Sequence, residues 1–123
     1  MAFLTDRKRA MGMGSAKAGT QHHWTMIVTS VALLVLIPLF IWTFGSTLGR
    51  PYEEALAYYA RPVPAAIAAL TIAVSFYHFR KGVQTLIEDY VHGFARKALI
   101  VAMICLSYGA AGLGIFALIR IAL

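Results

Sequence analysis

Apolar residues run almost unbroken through three stretches of the chain, and polar residues gather between them. The first stretch, about Trp24 to Ser46, carries no charged residue. The second begins near Tyr58 or Pro62, stays uncharged from Pro62 to Tyr77, and runs on through more polar turns to about Tyr90. The third runs from about Phe94 to Ile119 or Arg120 and is uncharged from Ala98 to Ile119. Each is close to the about 20 residues that an α-helix needs to cross a bilayer. The pattern therefore predicts an all-α membrane protein with three transmembrane helices, at about 24–46, 58–90 and 94–120. They follow a cytoplasmic tail over 1–23, and the 123 residues form one membrane-anchor domain. Pro62 and Pro64 suit a first helical turn, where a missing N–H does no harm. Pro38 falls inside the first span, where neighbouring groups in a membrane protein tolerate it. Trp24 and Trp42 suit the two membrane–water interfaces.

Composition agrees with this class. The chain is 60% hydrophobic and 13% charged, against roughly 25% charged residues in soluble domains. A net charge of +6 raises the question of nucleic acid. The basic residues, however, lie in the tail and between the apolar runs, with no basic-aromatic recognition motif. Nucleic-acid binding is therefore set aside. The single cysteine, Cys105, lies within an apolar run and reads as a small hydrophobe. Neither a zinc spacing nor a C-x-x-C-H haem attachment occurs. The run from Met26 to Phe44 is too long for a signal-peptide core and has no A-x-A site behind it, so it reads as a retained helix. The tail, Met1 to Gly19, reads as flexible at its start.

Charge also orients the chain. Eight of the eleven Lys and Arg residues lie in the tail (Arg7, Lys8, Arg9, Lys17) and around the second connection (Arg80, Lys81, Arg96, Lys97). Arg50 and Arg61 lie in the first connection, and Arg120 near the C-terminus. The positive-inside rule then predicts the N-terminus inside and the C-terminus outside. Three spans bury little surface alone, so the expected setting is a heteromeric helix bundle. On the third span Ser107, Ala111, Ala110, Gly114, Gly109 and Gly112 form a small-residue surface suited to close helix approach.

Candidate chemistry lies on the second span. His78 sits where a membrane helix is still in or near hydrocarbon, and ionisable groups there commonly mark a function. At about 100° per residue, His78, Gly82, Thr85 and Asp89 share one face, and Tyr90 lies beside it. Two readings of His78 stand: a hydrogen-bonded packing residue, or a haem ligand through its neutral imidazole. Gly82, one turn on, leaves room for a flat macrocycle. Arg80 and Lys81 are candidates to meet haem propionates or to anchor the helix at the inner interface. No other span holds a deep histidine, so a second axial ligand would come from another chain. Asp89 and Tyr90 read either as an interfacial helix end or as a quinone headgroup site. For the latter, the phenol supplies a donor and the carboxylate a proton relay. Glu88 points elsewhere and reads as solvated. His22, His23 and His92 read as interfacial.

The segment His78-x-x-x-Gly82-x-Gln84-x-x-x-x-Asp89-Tyr90-Val91 resembles the hydrophobic membrane-anchor subunits of succinate dehydrogenase (respiratory complex II). The resemblance extends to the three-helix layout and the chain length. Gly12 to Lys17 and Tyr58 to Pro62 look most like the alphaproteobacterial type. It implies an axial haem b ligand at His78, and a ubiquinone donor at Tyr90 supported by Asp89. It also implies three partner subunits: a flavoprotein, an iron–sulfur protein and a second haem-binding anchor. The implied setting is a multi-pass protein of the bacterial inner membrane, serving the tricarboxylic acid cycle and electron transport. The chain carries no flavin or cluster motif, so succinate oxidation would belong to the partners. One departure concerns the first span. Family members often carry a basic residue just before V-T-[AS], whereas this chain reads Met26-Ile27-Val28-Thr29-Ser30. The alternatives are an anchor of a fumarate reductase or another haem b quinone oxidoreductase, and a non-haem three-helix scaffold or transporter.

Overall fold

The computed structural model describes residues 3–14 and 19–123. Lys17, used in the charge count, and with it the Ser15 to Lys17 half of the Gly12 to Lys17 stretch lie outside the described residues. All regular structure among the described residues is helical: α1 (Asp6–Met11), α2 (Gly19–Gly45), α3 (Tyr52–Tyr59), α4 (Pro62–Tyr90) and α5 (Gly93–Ala122). Three of these helices, α2, α4 and α5, are long and apolar enough to cross a membrane.

The boundaries follow from local chemistry. α1 is a short helix within the tail, where Thr5 Oγ1 accepts from Lys8 N at 3.3 Å. α2 continues through Pro38 without a break. The predicted second span divides. Tyr58 and Tyr59 close the short helix α3, and α4 starts only at Pro62. Between them Arg61 is extended (φ −74°, ψ 144°), because a residue preceding proline is pushed out of the helical region. The second connection is short. Val91 and His92 are extended, and α5 starts at Gly93 with φ +69°. That left-handed backbone suits a residue without Cβ. Arg80 and Lys81 thus belong to the closing turns of α4, and Arg96 and Lys97 to the opening turn of α5.

α4 is the middle helix. It packs against α2 on one side and α5 on the other, whereas α2 and α5 make no contact among the described residues. α3 rests on α4 and α5. The interior is thin: among the described residues only Ala68, Ile87, Met103 and Ala111 are buried hydrophobics, and no large side chain is fully enclosed. Most bulky apolar residues, Leu34, Val31, Leu106 and Leu113 among them, face outward. Such a surface requires lipid or other helices around it.

The small-residue surface of the third span serves two sides. Ser107 and Ala111 are buried. A Cβ added at Gly114 would lie 3.2 Å from Ile72 Cδ1 of α4. These residues therefore bring α5 close to α4 within the chain. At Gly109 and Gly112 an added Cβ would meet nothing within 4 Å among the described residues.

Candidate functional site

The face predicted on the second span is the one that meets α2. His78 Nδ1 lies 2.8 Å from Thr29 Oγ1. A Cβ at Gly82 would lie 3.9 Å from Met26 Cε. Thr85 Oγ1 lies 3.3 Å from His22 Nε2. The three contacts step along both helices together, His22, Met26 and Thr29 against Thr85, Gly82 and His78. This is the register of two antiparallel helices whose facing residues recur at i, i+4 and i+7. His78, Thr29 and Met26 are all half-buried.

The imidazole has one engaged nitrogen. Nδ1 meets Thr29, and Nε2 has no hydrogen-bond partner among the described residues. Thr29 Oγ1 also lies 2.9 Å from Thr25 O and 3.1 Å from Met26 O, one turn back in its own helix. Beside the ring, Gly82 presents no side chain, and the nearest obstruction to a Cβ there is a flexible methionine methyl. This arrangement fits an axial ligand: a histidine with its outer nitrogen free, held by the other, beside a position without a side chain.

The second candidate pair lies at the other end of the stripe. Asp89 and Tyr90 close α4, about 16–18 Å from His78 along the axis at 1.5 Å per residue. Both are exposed, Tyr90 at 79%. They make no hydrogen bond to each other among the described residues, so the sequence neighbours are adjacent without being coupled. Glu88 is turned aside and accepts from Gln84 Nε2 at 2.9 Å.

Arg80 makes a contact that neither of the readings given above includes. Two residues from His78, it is rotated about 200° around the helix, to the side that meets α5. There Nη1 donates to Tyr108 Oη at 2.6 Å, and the guanidinium carbon stands 5.5 Å from the Tyr108 ring centroid. Arg80 thus ties α4 to α5 and is directed away from the His78 face. Neither Tyr108 nor Thr29 stood out in the sequence as a partner. For Thr29, the available signs were its place in the Val28-Thr29-Ser30 stretch and the spacing of His22, Met26 and Thr29, which matches that of Thr85, Gly82 and His78.

The model of the succinate dehydrogenase/fumarate reductase transmembrane subunit family matches residues 2–117. The chain belongs to this family. Its similarity to the succinate dehydrogenase hydrophobic membrane anchor subunit of Paracoccus denitrificans is 44% identity over 123 residues, covering 100% of this chain and 95% of the relative. The corresponding subunit of Rickettsia bellii is 28% identical over 105 residues, 82% of each chain. That of Rickettsia conorii is 28% identical over 93 residues, covering 72% of this chain and 71% of the relative. No solved structure matches. Membership as a transmembrane subunit accords with the three long apolar helices and makes the chain part of a larger membrane complex.

Proposed function

We propose that this family member anchors a succinate:ubiquinone oxidoreductase in the bacterial cytoplasmic membrane and contributes residues to two cofactor and substrate positions. His78 would hold the iron of haem b, and Gly82 would leave room for the macrocycle. Tyr90 and Asp89 form part of the ubiquinone site. The observation that carries this reading is the state of the His78 ring, engaged at Nδ1, free at Nε2, and next to Gly82. Bound haem b supplies a one-electron carrier within the membrane.

The residues of the chain divide the remaining work. His78 Nε2 would hold the haem iron from this chain, and a second membrane anchor would supply the other protein ligand. The Tyr90 phenol donates a hydrogen bond to a quinone carbonyl oxygen and so orients the headgroup. Quinone reduction consumes protons, and Asp89, at the exposed helix end, is placed to relay them from the aqueous side. With the N-terminus inside, this end of α4 faces the cytoplasm. Electrons reach the site from the iron–sulfur partner, and succinate oxidation belongs to the flavoprotein partner. The relatives named above are succinate dehydrogenase subunits, which favours quinone reduction over the fumarate reductase direction.

The test is purification of the tagged chain in mild detergent from its native membrane, with identification of co-purifying subunits and an optical spectrum. The expected result is a flavoprotein, an iron–sulfur protein and a second small membrane protein, with a reduced haem b band and succinate–ubiquinone activity. A preparation with these partners but no haem absorbance would refute the haem assignment.

A further inference from the structure

Resting on the reading of His78 as a haem ligand, we propose that Thr29 is a positioning residue for that ligand. It fixes the tautomer and ring orientation of His78 from the neighbouring helix and raises the electron donation of Nε2.

The argument starts from the hydroxyl. Thr29 Oγ1 has one proton, and helical carbonyl acceptors lie within reach, Thr25 O at 2.9 Å and Met26 O at 3.1 Å. A threonine within a helix commonly donates back to the preceding turn. With its proton used there, the oxygen is an acceptor toward His78 Nδ1, 2.8 Å away. The imidazole then carries its hydrogen on Nδ1 and presents an unprotonated Nε2. This is the state a metal requires, and ligating histidines are commonly held by such a bond on their other nitrogen. The bond also makes the ring a stronger donor, because it draws the Nδ1 proton toward the threonine oxygen. A membrane interior strengthens the effect, since water does not compete for the groups.

The contact is part of the α2–α4 register and is not an isolated approach. Met26 lies against Gly82 and His22 near Thr85 on the same two faces. Thr29 therefore delivers its oxygen from a helix packed in place. The first span, which supplies no basic residue beside Val28-Thr29-Ser30, supplies this acceptor instead.

The experiment compares Thr29→Val, Thr29→Ala and Thr29→Ser in the complete purified complex. Each is read by the haem b midpoint potential, by the low-spin ferric EPR signal, and by haem loss to excess apomyoglobin. Removing the acceptor weakens donation to ferric iron, so Val and Ala should raise the midpoint potential and move the EPR signal. They should also speed haem loss by about 10-fold or more, in keeping with the effect of losing such a partner. Thr29→Ser keeps the hydroxyl and should restore wild-type values. Wild-type potential, EPR signal and haem retention in the Val and Ala variants would overturn the proposal. So would a Ser variant shifted as far as Val, or equal failure of all three to assemble, since packing and not the hydroxyl would then be the cause. His78→Ala runs in parallel. If it keeps native haem, the ligand assignment has failed. If it loses haem while the Thr29 series is silent, only the role of Thr29 has failed.

Discussion

Gly114 of α5 sits so close to Ile72 of α4 that a Cβ built on the glycine would lie 3.2 Å from Ile72 Cδ1. That pair holds the two helices near one another in the half of the membrane away from Tyr90. The atom met is the far end of a flexible side chain, so Gly114→Ala should be accommodated by a small rotation of Ile72. Gly114→Leu cannot be accommodated in that way. Overpacking of this kind costs about 1–3 kcal/mol, so the purified complex should melt at a lower temperature. Gly109→Ala and Gly112→Ala, whose added Cβ meets nothing within 4 Å among the described residues, are the controls. A loss of complex assembly in these two controls, with the fold of the chain kept, would mark their face as a contact with a partner helix.

Tyr90→Phe keeps the ring and deletes the donor. Succinate oxidation with an artificial dye acceptor, haem content and assembly should stay near wild type. Ubiquinone reduction should fall through a raised KM, a lowered kcat, or both. A neutral hydrogen bond contributes about 0.5–1.5 kcal/mol net, which sets a several-fold effect as the expected scale. Asp89→Asn should weaken the same half-reaction. Wild-type ubiquinone kinetics in Tyr90→Phe would leave Tyr90 an interfacial anchor and assign the quinone donor to another subunit.

Reporter fusions after Leu123 check the orientation. A reporter active only in the periplasm should be active there, and one active only in the cytoplasm should be silent. The reverse result would invert the placement of Asp89 and Tyr90 and remove the cytoplasmic proton route.

The three long helices were legible because long uncharged apolar runs leave a membrane helix as the simplest reading. The division of 58–90 was less visible, although Arg61-Pro62 carried the sign: the restriction on the residue before proline ends α3 and lets α4 start afresh. The shared face of His78, Gly82 and Thr85 followed from helical periodicity alone. What faces it did not, because the rotation and register of one helix against another depend on many packing contacts at once. Thr29 therefore emerged only from the 2.8 Å contact with His78. The same limit explains Arg80. Its position along α4 was legible, while its turn toward Tyr108 and away from His78 depends on where α5 packs. The small residues of α5 were read as one surface, and packing divides them between the chain's own α4 and its outside.

The most direct measurement is the reduced-minus-oxidised optical spectrum of the purified complex carrying His78→Ala, with haem quantified per complex. If His78 supplies one axial ligand from the middle helix, the haem b bands are lost or strongly altered while the flavin and iron–sulfur signals remain. An unchanged haem b spectrum at full occupancy would contradict the account.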